Sequence, residues 1–312
     1  MALRFLPDGV ENAANRDRIA DAADVLGGSC TATPEGRLIA VENAPQAWPV
    51  YGRQPLRGMA TLVLGNERRG VSRAMLAAAA ETVVIPTASR TITTLNVAAA
   101  AAVAGWYILH GSGPQARATH PASRRPAVLL SGDDHVEVGS SLRSAAAFGI
   151  TELFLDDRGA GWFDGPHAQR REARAAARWH KNPLRVHRAL PGLAERFDEI
   201  VVISPGQPGR PLRRQRLTRG RRQLVVIGVA PEQVEATAGS RTQLTTLGLG
   251  HPERAPLRLW ASIALAEIAR QAGRPPAQQP APSPRPPTYD RDLKLAADGD
   301  LLILDPDLLL SY

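Results

Sequence analysis

The 312 residues, 44% of them hydrophobic, suffice for two ordinary domains or one large one with a sizeable core. A net charge of +8 and a pI of about 10.6 point to nucleic acid or another acidic partner, although an arginine-rich coding bias gives the same balance without that meaning. The single cysteine, Cys30, excludes a disulfide framework and a cysteine-based zinc site within one chain. No signal-peptide pattern is evident, and the longest apolar run, Val97 to Leu109, is too short to span a bilayer; a cytoplasmic protein with no membrane association is expected.

In chain order, residues 11–26 have helical character, Leu38 to Val41 reads as a short strand, and Thr61 to Gly65 as another that stops at a glycine. Ser72 to Ala80 reads as a helix, Thr82 to Ile85 as a strand halted by Pro86, and a polar loop from Thr87 to Thr93 leads into an apolar helix ending near Leu109. Residues 111–125 are polar and rich in Gly, Pro and Ser, as in a linker. The pattern then restarts, with strands at Val128–Leu130, Glu152–Leu155, Ile200–Ile203 and Leu224–Gly228 and helices at Ser140–Phe148 and Leu257–Gln271. Strands alternating with helices predict an α/β fold with mostly parallel sheets, in one unit over 1–110 and another over 126–273. Residues 274–312 form a Pro-rich tail with an acidic, leucine-rich end.

Two segments carry chemistry. In Leu62 to Ser72 (LVLGNERRGVS), Leu64 and Gly65 end a strand, and Asn66 and Glu67 follow where open α/β sheets place ligands. In Val84 to Ala98 (VIPTASRTITTLNVA), a strand ends at Ile85–Pro86, and Thr93 or Thr94 can cap a helix whose first turn holds Leu95 and Asn96. Taken singly, each is compatible with an ordinary turn or cap.

Together, in this order and with Gly65 and Asn96 31 positions apart, the segments resemble the second and third motifs of the SpoU/TrmH-like (SPOUT-class) RNA methyltransferases. The stretch from Leu38 to Val50 resembles that family's approach to its second motif. The family's first motif sets an Asn six residues before a ribose-facing Arg. Asn12 and Arg18 have this spacing, but Ala14 stands at the usual glycine and the preceding strand looks short or missing. Arg18 on a solvated helix face is the alternative.

The resemblance implies a trefoil-knotted α/β unit that binds S-adenosylmethionine and methylates a ribose 2′-hydroxyl of ribosomal or transfer RNA. Its cofactor contacts would be Leu64, Gly65, Asn66, Glu67, Ile85, Pro86, Thr94, Leu95 and Asn96. Glu67 would shape the catalytic loop, and Asn96 would position cofactor or ribose. Thr94 stands where the family usually has Ser. A ribose hydroxyl is a very weak acid, so Arg18 suits an electrostatic role better than that of a base.

Residues 133–149 (DDHVEVGSSLRSAAAFG) resemble the first motif more closely, through Gly139, Arg143 and Phe148–Gly149, with Glu137 at the Asn position. In Leu224 to Glu232 the second motif keeps Gly228, but Val229 and Ala230 replace Asn and Glu, and Arg258 stands at the third-motif Asn. A tandem duplication with a degenerate second copy is inferred, giving a monomeric pseudo-dimer or a homodimer. Arg143 then either serves the first pocket or is a structural relic.

Arginines 210, 213, 214, 216, 219, 221 and 222 (Arg210, Arg213, Arg214, Arg216, Arg219, Arg221, Arg222) form a loop suited to RNA phosphates, or simply a solvated loop. His167, His180 and His187 lack metal-ligand spacing, and no metal is expected. Two rival functions stay open: a non-catalytic RNA-binding protein of this fold, and a related methyltransferase acting on a base or a non-RNA substrate.

Overall fold

A computed structural model describes residues 2–52, 54–112, 126–206, 208–217 and 222–271, so most of the expected linker and the whole Pro-rich tail lie outside the described residues. The first part of the chain runs β1 (Ala2–Asp8), α1 (Ala13–Val25), β2 (Ser29–Cys30), β3 (Arg37–Val41), β4 (Trp48–Pro49), β5 (Met59–Gly65), α2 (Arg73–Ala78), β6 (Glu81–Val84) and α3 (Val97–His110). Its six strands pair in the order β2-β1-β5-β3-β6-β4, every pair parallel. Central β5 is buried from Ala60 to Leu64, the near-continuous apolar run of a strand covered on both faces.

The strand before the first motif, expected to be short or missing, is instead the seven-residue β1, paired along its whole length with β5. Arg4 and Pro7 break its apolar pattern in sequence, while Leu3, Phe5 and Leu6 are buried.

The chain continues through β7 (Ala127–Ser131), α4 (His135–Ala147), β8 (Glu152–Asp156), α5 (His167–Ala176), β9 (Arg185–Arg188), β10 (Glu199–Ser204), β11 (Arg210–Pro211), β12 (Gln223–Ile227), α6 (Pro231–Ala238), β13 (Thr242–Thr246) and α7 (Leu257–Gln271). This second sheet is ordered β11-β13-β10-β12-β7-β8-β9, again all parallel. Read from its other end, β8-β7-β12-β10-β13-β11 repeats β2-β1-β5-β3-β6-β4 position by position, with β9 as an added edge.

The helices repeat as well. Asn12 and Asp134 cap α1 and α4, which run from Ala13 to Val25 and from His135 to Ala147, a uniform shift of 122 positions. The ends of both helices are held in the same way by the opposite half. Ala147 O accepts from Ala88 N and Ser89 N (2.8 and 3.2 Å), and Val25 O accepts from Gly250 N and His251 N (2.9 and 3.1 Å). The donors in the two loops are themselves related by one shift, 162 positions.

All described residues fall in one compact unit, and both sheets share a continuous apolar core. Helix α3 lies at its centre. Eleven of its 14 residues are buried, so it is apolar around its circumference, as a helix enclosed on all sides must be. Its alanines and Gly105 allow close approach; a Cβ at Gly105 would come within 2.6 Å of Leu26 Cδ1. Two polar side chains tie α3 to the second half: Trp106 Nε1 donates to Leu247 O (2.8 Å), and Tyr107 OH donates to Glu267 Oε2 on α7 (2.6 Å).

Candidate active site

In a parallel sheet all carboxyl ends lie on one edge, and here the loops that follow β1, β3 and β5 knit together. After β5 the chain makes a tight loop in which Asn66 and Gly70 exchange backbone hydrogen bonds (3.0 and 2.8 Å). Asn66 Oδ1 accepts from Arg68 N and Arg69 N (2.9 and 3.2 Å), and its Nδ2 donates to Gly9 O (2.9 Å) after β1. Glu42, just past β3, accepts from Val71 N (2.7 Å), and Asp8 accepts from Ser72 N (2.6 Å). The loop is thus held by two carboxylates that the motif comparison did not single out. Their signal in sequence is position alone: each stands at the carboxyl end of a parallel strand.

Gly65 has a steric reason to be glycine. A Cβ there would overlap the Gly70 carbonyl and Val71 N. Gly65→Ala should therefore cost about 1–3 kcal/mol, the usual penalty for forced overpacking, and lower the urea midpoint. An unchanged midpoint would show that the loop relaxes freely.

The other motif segment runs from Ile85 to Asn96. Ile85 is buried, while Pro86 and Leu95 are half-buried. Thr87 Oγ1 donates to Thr93 O (3.2 Å), closing the loop on itself. The cap of α3 is Asn96, not Thr93 or Thr94: Asn96 Oδ1 accepts from Ala99 N (2.7 Å). Glu67 is exposed and accepts a hydrogen bond from Asn15 Nδ2, joining the 66–70 loop to α1.

The second half contributes a cation. Arg143 on α4 donates from Nη2 to Thr94 O (3.2 Å). Its Nε is buried with no hydrogen-bond partner among the described residues, and burial, with the nearby Arg178 as a lesser cause, pushes its pKa down to about 10.

The structure corrects the first-motif register. Asn12 caps α1 through Ala14 N (2.9 Å), and Arg18 is exposed. Under the shift that superposes α1 on α4, the partners of Glu137 and Arg143 are Asn15 and Asp21, not Asn12 and Arg18. The carboxyl edge of the second sheet is accordingly different. There Arg258, the counterpart of Asn96, bonds through its guanidinium to Glu137 and to Asp21 Oδ2 (2.8 Å), and its own N–H donates to Glu137 Oε2 (2.8 Å). The Arg258 and Glu137 side chains are only 14% and 17% exposed, so this ionic cluster fills the place where the first half keeps neutral Asn96 and Asn15.

The arginine loop is partly structural. Arg213 donates to His110 O (2.6 Å) and Arg222 pairs with Asp198 (2.9 Å). Arg210, Arg214 and Arg216 are exposed, and Arg219 and Arg221 lie outside the described residues.

Residues 12–106 match the SpoU rRNA Methylase family. This SpoU-matching segment includes both motif loops, and the chain resembles the SpoU/TrmH enzymes through it. No curated protein matches the chain. Among solved structures it is similar to the SpoU methyltransferase AviRb from Streptomyces viridochromogenes in complex with AdoMet (18% identity, 53% of this chain and 66% of that one, TM-score 0.37). It is also similar to the A. aeolicus TrmH/SpoU tRNA modifying enzyme (16%, 57% and 90%, TM-score 0.36) and to an rRNA methyltransferase from Sinorhizobium meliloti (14%, 69% and 73%, TM-score 0.38). These likenesses are distant, and the SpoU reading rests on the matched segment and its motifs. Among the described residues, no helix is long and apolar enough to cross a membrane.

Proposed function

We propose that the chain is an S-adenosylmethionine-dependent RNA methyltransferase acting on a ribose 2′-hydroxyl, with one working site per chain built from the SpoU-matching segment and Arg143. The observation that carries this reading is Arg143 itself: a half-buried guanidinium whose Nε has no partner among the described residues, delivered by the second half to Thr94 in the 85–96 motif segment. A half-buried guanidinium with no ion-pair partner among the described residues is costly unless a ligand pairs with it.

The residues fit the cofactor. Leu64, Gly65, Asn66, Ile85, Pro86, Leu95 and Asn96 line the loops that would hold it, offering backbone polar groups and apolar walls. S-adenosylmethionine, when bound, supplies the electrophilic methyl group. The chain supplies the rest. Asn66, with Glu42 and Asp8, fixes the loop; Glu67 ties it to α1; and Arg143 stabilises negative charge developing on the ribose oxygen. With a pKa near 10, Arg143 is still overwhelmingly protonated at pH 7, which favours electrostatic stabilisation over proton abstraction. The trefoil knot belongs to this proposal, and the interleaved order β1-β5-β3-β6 supports it.

The repeated strand order supports a fused pair of units, 1–110 and 126–273, with the second degenerate. RNA is the expected partner, with Arg210, Arg214 and Arg216 as exposed candidate contacts. The Asp21–Arg258–Glu137 cluster explains why only one site would work. Calorimetric titration of the full chain with S-adenosylmethionine should give one site. Two sites would contradict the closed second edge, and no binding would refute the reading.

A further inference from the structure

The first half joins β2 to β3 through residues 31–36, whereas the second half joins β8 to β10 through residues 157–198, a segment that contains α5 and β9. This insertion bears eight arginines and Lys181 against five carboxylates. Some of these arginines are neutralised locally: Arg188 pairs with Asp164 and Arg158 with Asp156. Others are not. Arg171 and Arg174 are exposed, three positions apart on one face of α5, and Arg178 follows just past the helix end with its backbone in the left-handed region (φ 49°). None of the three is in an ion pair among the described residues.

The other side of α5 is fixed to α4, the helix that carries Arg143. Ala173 is fully buried, and a Cβ on Gly139 would strike its carbonyl. His135 Nε2 bonds to Glu172 Oε2 (2.8 Å). Past the helix, Asn182 Nδ2 donates to Ala177 O (2.9 Å) and reaches Leu142 O (3.5 Å), holding the turn that contains Arg178. The row therefore runs along α4 toward Arg143: Ala173 packs on Gly139, and the turn that contains Arg178 is tied to Leu142, the residue before Arg143.

We infer that Arg171, Arg174 and Arg178 form a phosphate-binding ridge that seats the RNA backbone and leads the target nucleotide to Arg143. The inference rests on the RNA methyltransferase reading above. A row of cations with no ion-pair partner among the described residues suits a polyanion, and contacts of this kind set register without reading sequence. Holding cations of one sign together costs energy that bound phosphates would return.

The test is binding of bulk unmodified RNA to the full chain by fluorescence anisotropy over a range of salt concentrations, for wild type and for R171Q/R174Q/R178Q. The triple variant should bind at least about tenfold more weakly at low salt. The slope of log affinity against log salt should shrink by about 2, the share of three phosphate contacts. The charge-conserving R171K/R174K/R178K variant should keep most of the affinity. Calorimetry with S-adenosylmethionine and the thermal midpoint should match wild type, showing that the glutamine variant is folded. Wild-type RNA binding with an identical glutamine variant would overturn the ridge and leave the functional reading standing. No salt-dependent RNA binding by wild type would overturn both.

Discussion

Arg143→Ala is expected to reduce methyl transfer about a hundredfold or more while leaving affinity for S-adenosylmethionine within about threefold. That is the usual scale for removing one preorganised charge-stabilising donor. The loss should fall on kcat, because the guanidinium is aimed at charge that develops only in the transition state. Arg143→Lys should recover only part of the rate, since a point charge lacks the planar fork that can bond Thr94 O and a substrate oxygen together. The pH profile separates the two possible roles. Burial holds the folded-state pKa near 10, well below the ordinary arginine value. If the protonated form works, the rate falls as pH rises through about 10; if the neutral form is a base, the rate climbs over the same interval. Wild-type activity in Arg143→Ala would remove this residue from the site.

Glu267→Ala should destabilise the protein by about 3–5 kcal/mol, the cost of breaking a buried ion pair from one side. Glu267 is 0% exposed and Arg270 8% exposed, so the stranded guanidinium has no solvent to turn to. The same carboxylate accepts from Arg270 (2.7 and 2.6 Å), Gln271 (2.8 Å) and Tyr107 OH (2.6 Å). Because Tyr107 lies on α3 and Glu267 on α7, the damage falls on the seam between the halves. Urea denaturation should show the midpoint moving down. Tyr107→Phe removes one donor to this buried carboxylate and should cost about 1.5–3 kcal/mol. A wild-type midpoint in Glu267→Ala would mean that the seam does not depend on this cluster.

Much of the fold could be read from the residues because the central strands are buried on both faces and announce themselves as apolar runs. β5, β10 and β12 are of this kind. β1 was harder to see, since Arg4 and Pro7 interrupt it, and the short edge strands β2, β4 and β11 carry no pattern at all. α5 was hidden for a related reason: HAQRREARAA buries only Ala173, so it shows almost no apolar stripe.

The motif loops were legible because Gly65 and Asn66 answer to local geometry. The first-motif register was not. Asn12 has the right spacing to Arg18, but spacing does not distinguish a helix cap from a site residue three positions later. Only the matched caps and ends of α1 and α4 identify Asn15 and Asp21 as the counterparts of Glu137 and Arg143. Nor could sequence choose between Arg143 as relic and Arg143 as participant, because its contact with Thr94 spans 49 positions and exists only once the halves are packed.

The measurement to make first is transfer of a labelled methyl group from S-adenosylmethionine to bulk unmodified RNA, followed by alkaline hydrolysis. A methylated 2′-oxygen blocks cleavage of the adjoining phosphodiester, so the label should appear in alkali-resistant dinucleotides. Label confined to mononucleotides would place the methyl group on a base, and no transfer at all would remove the catalytic reading; either would contradict ribose methylation by this protein.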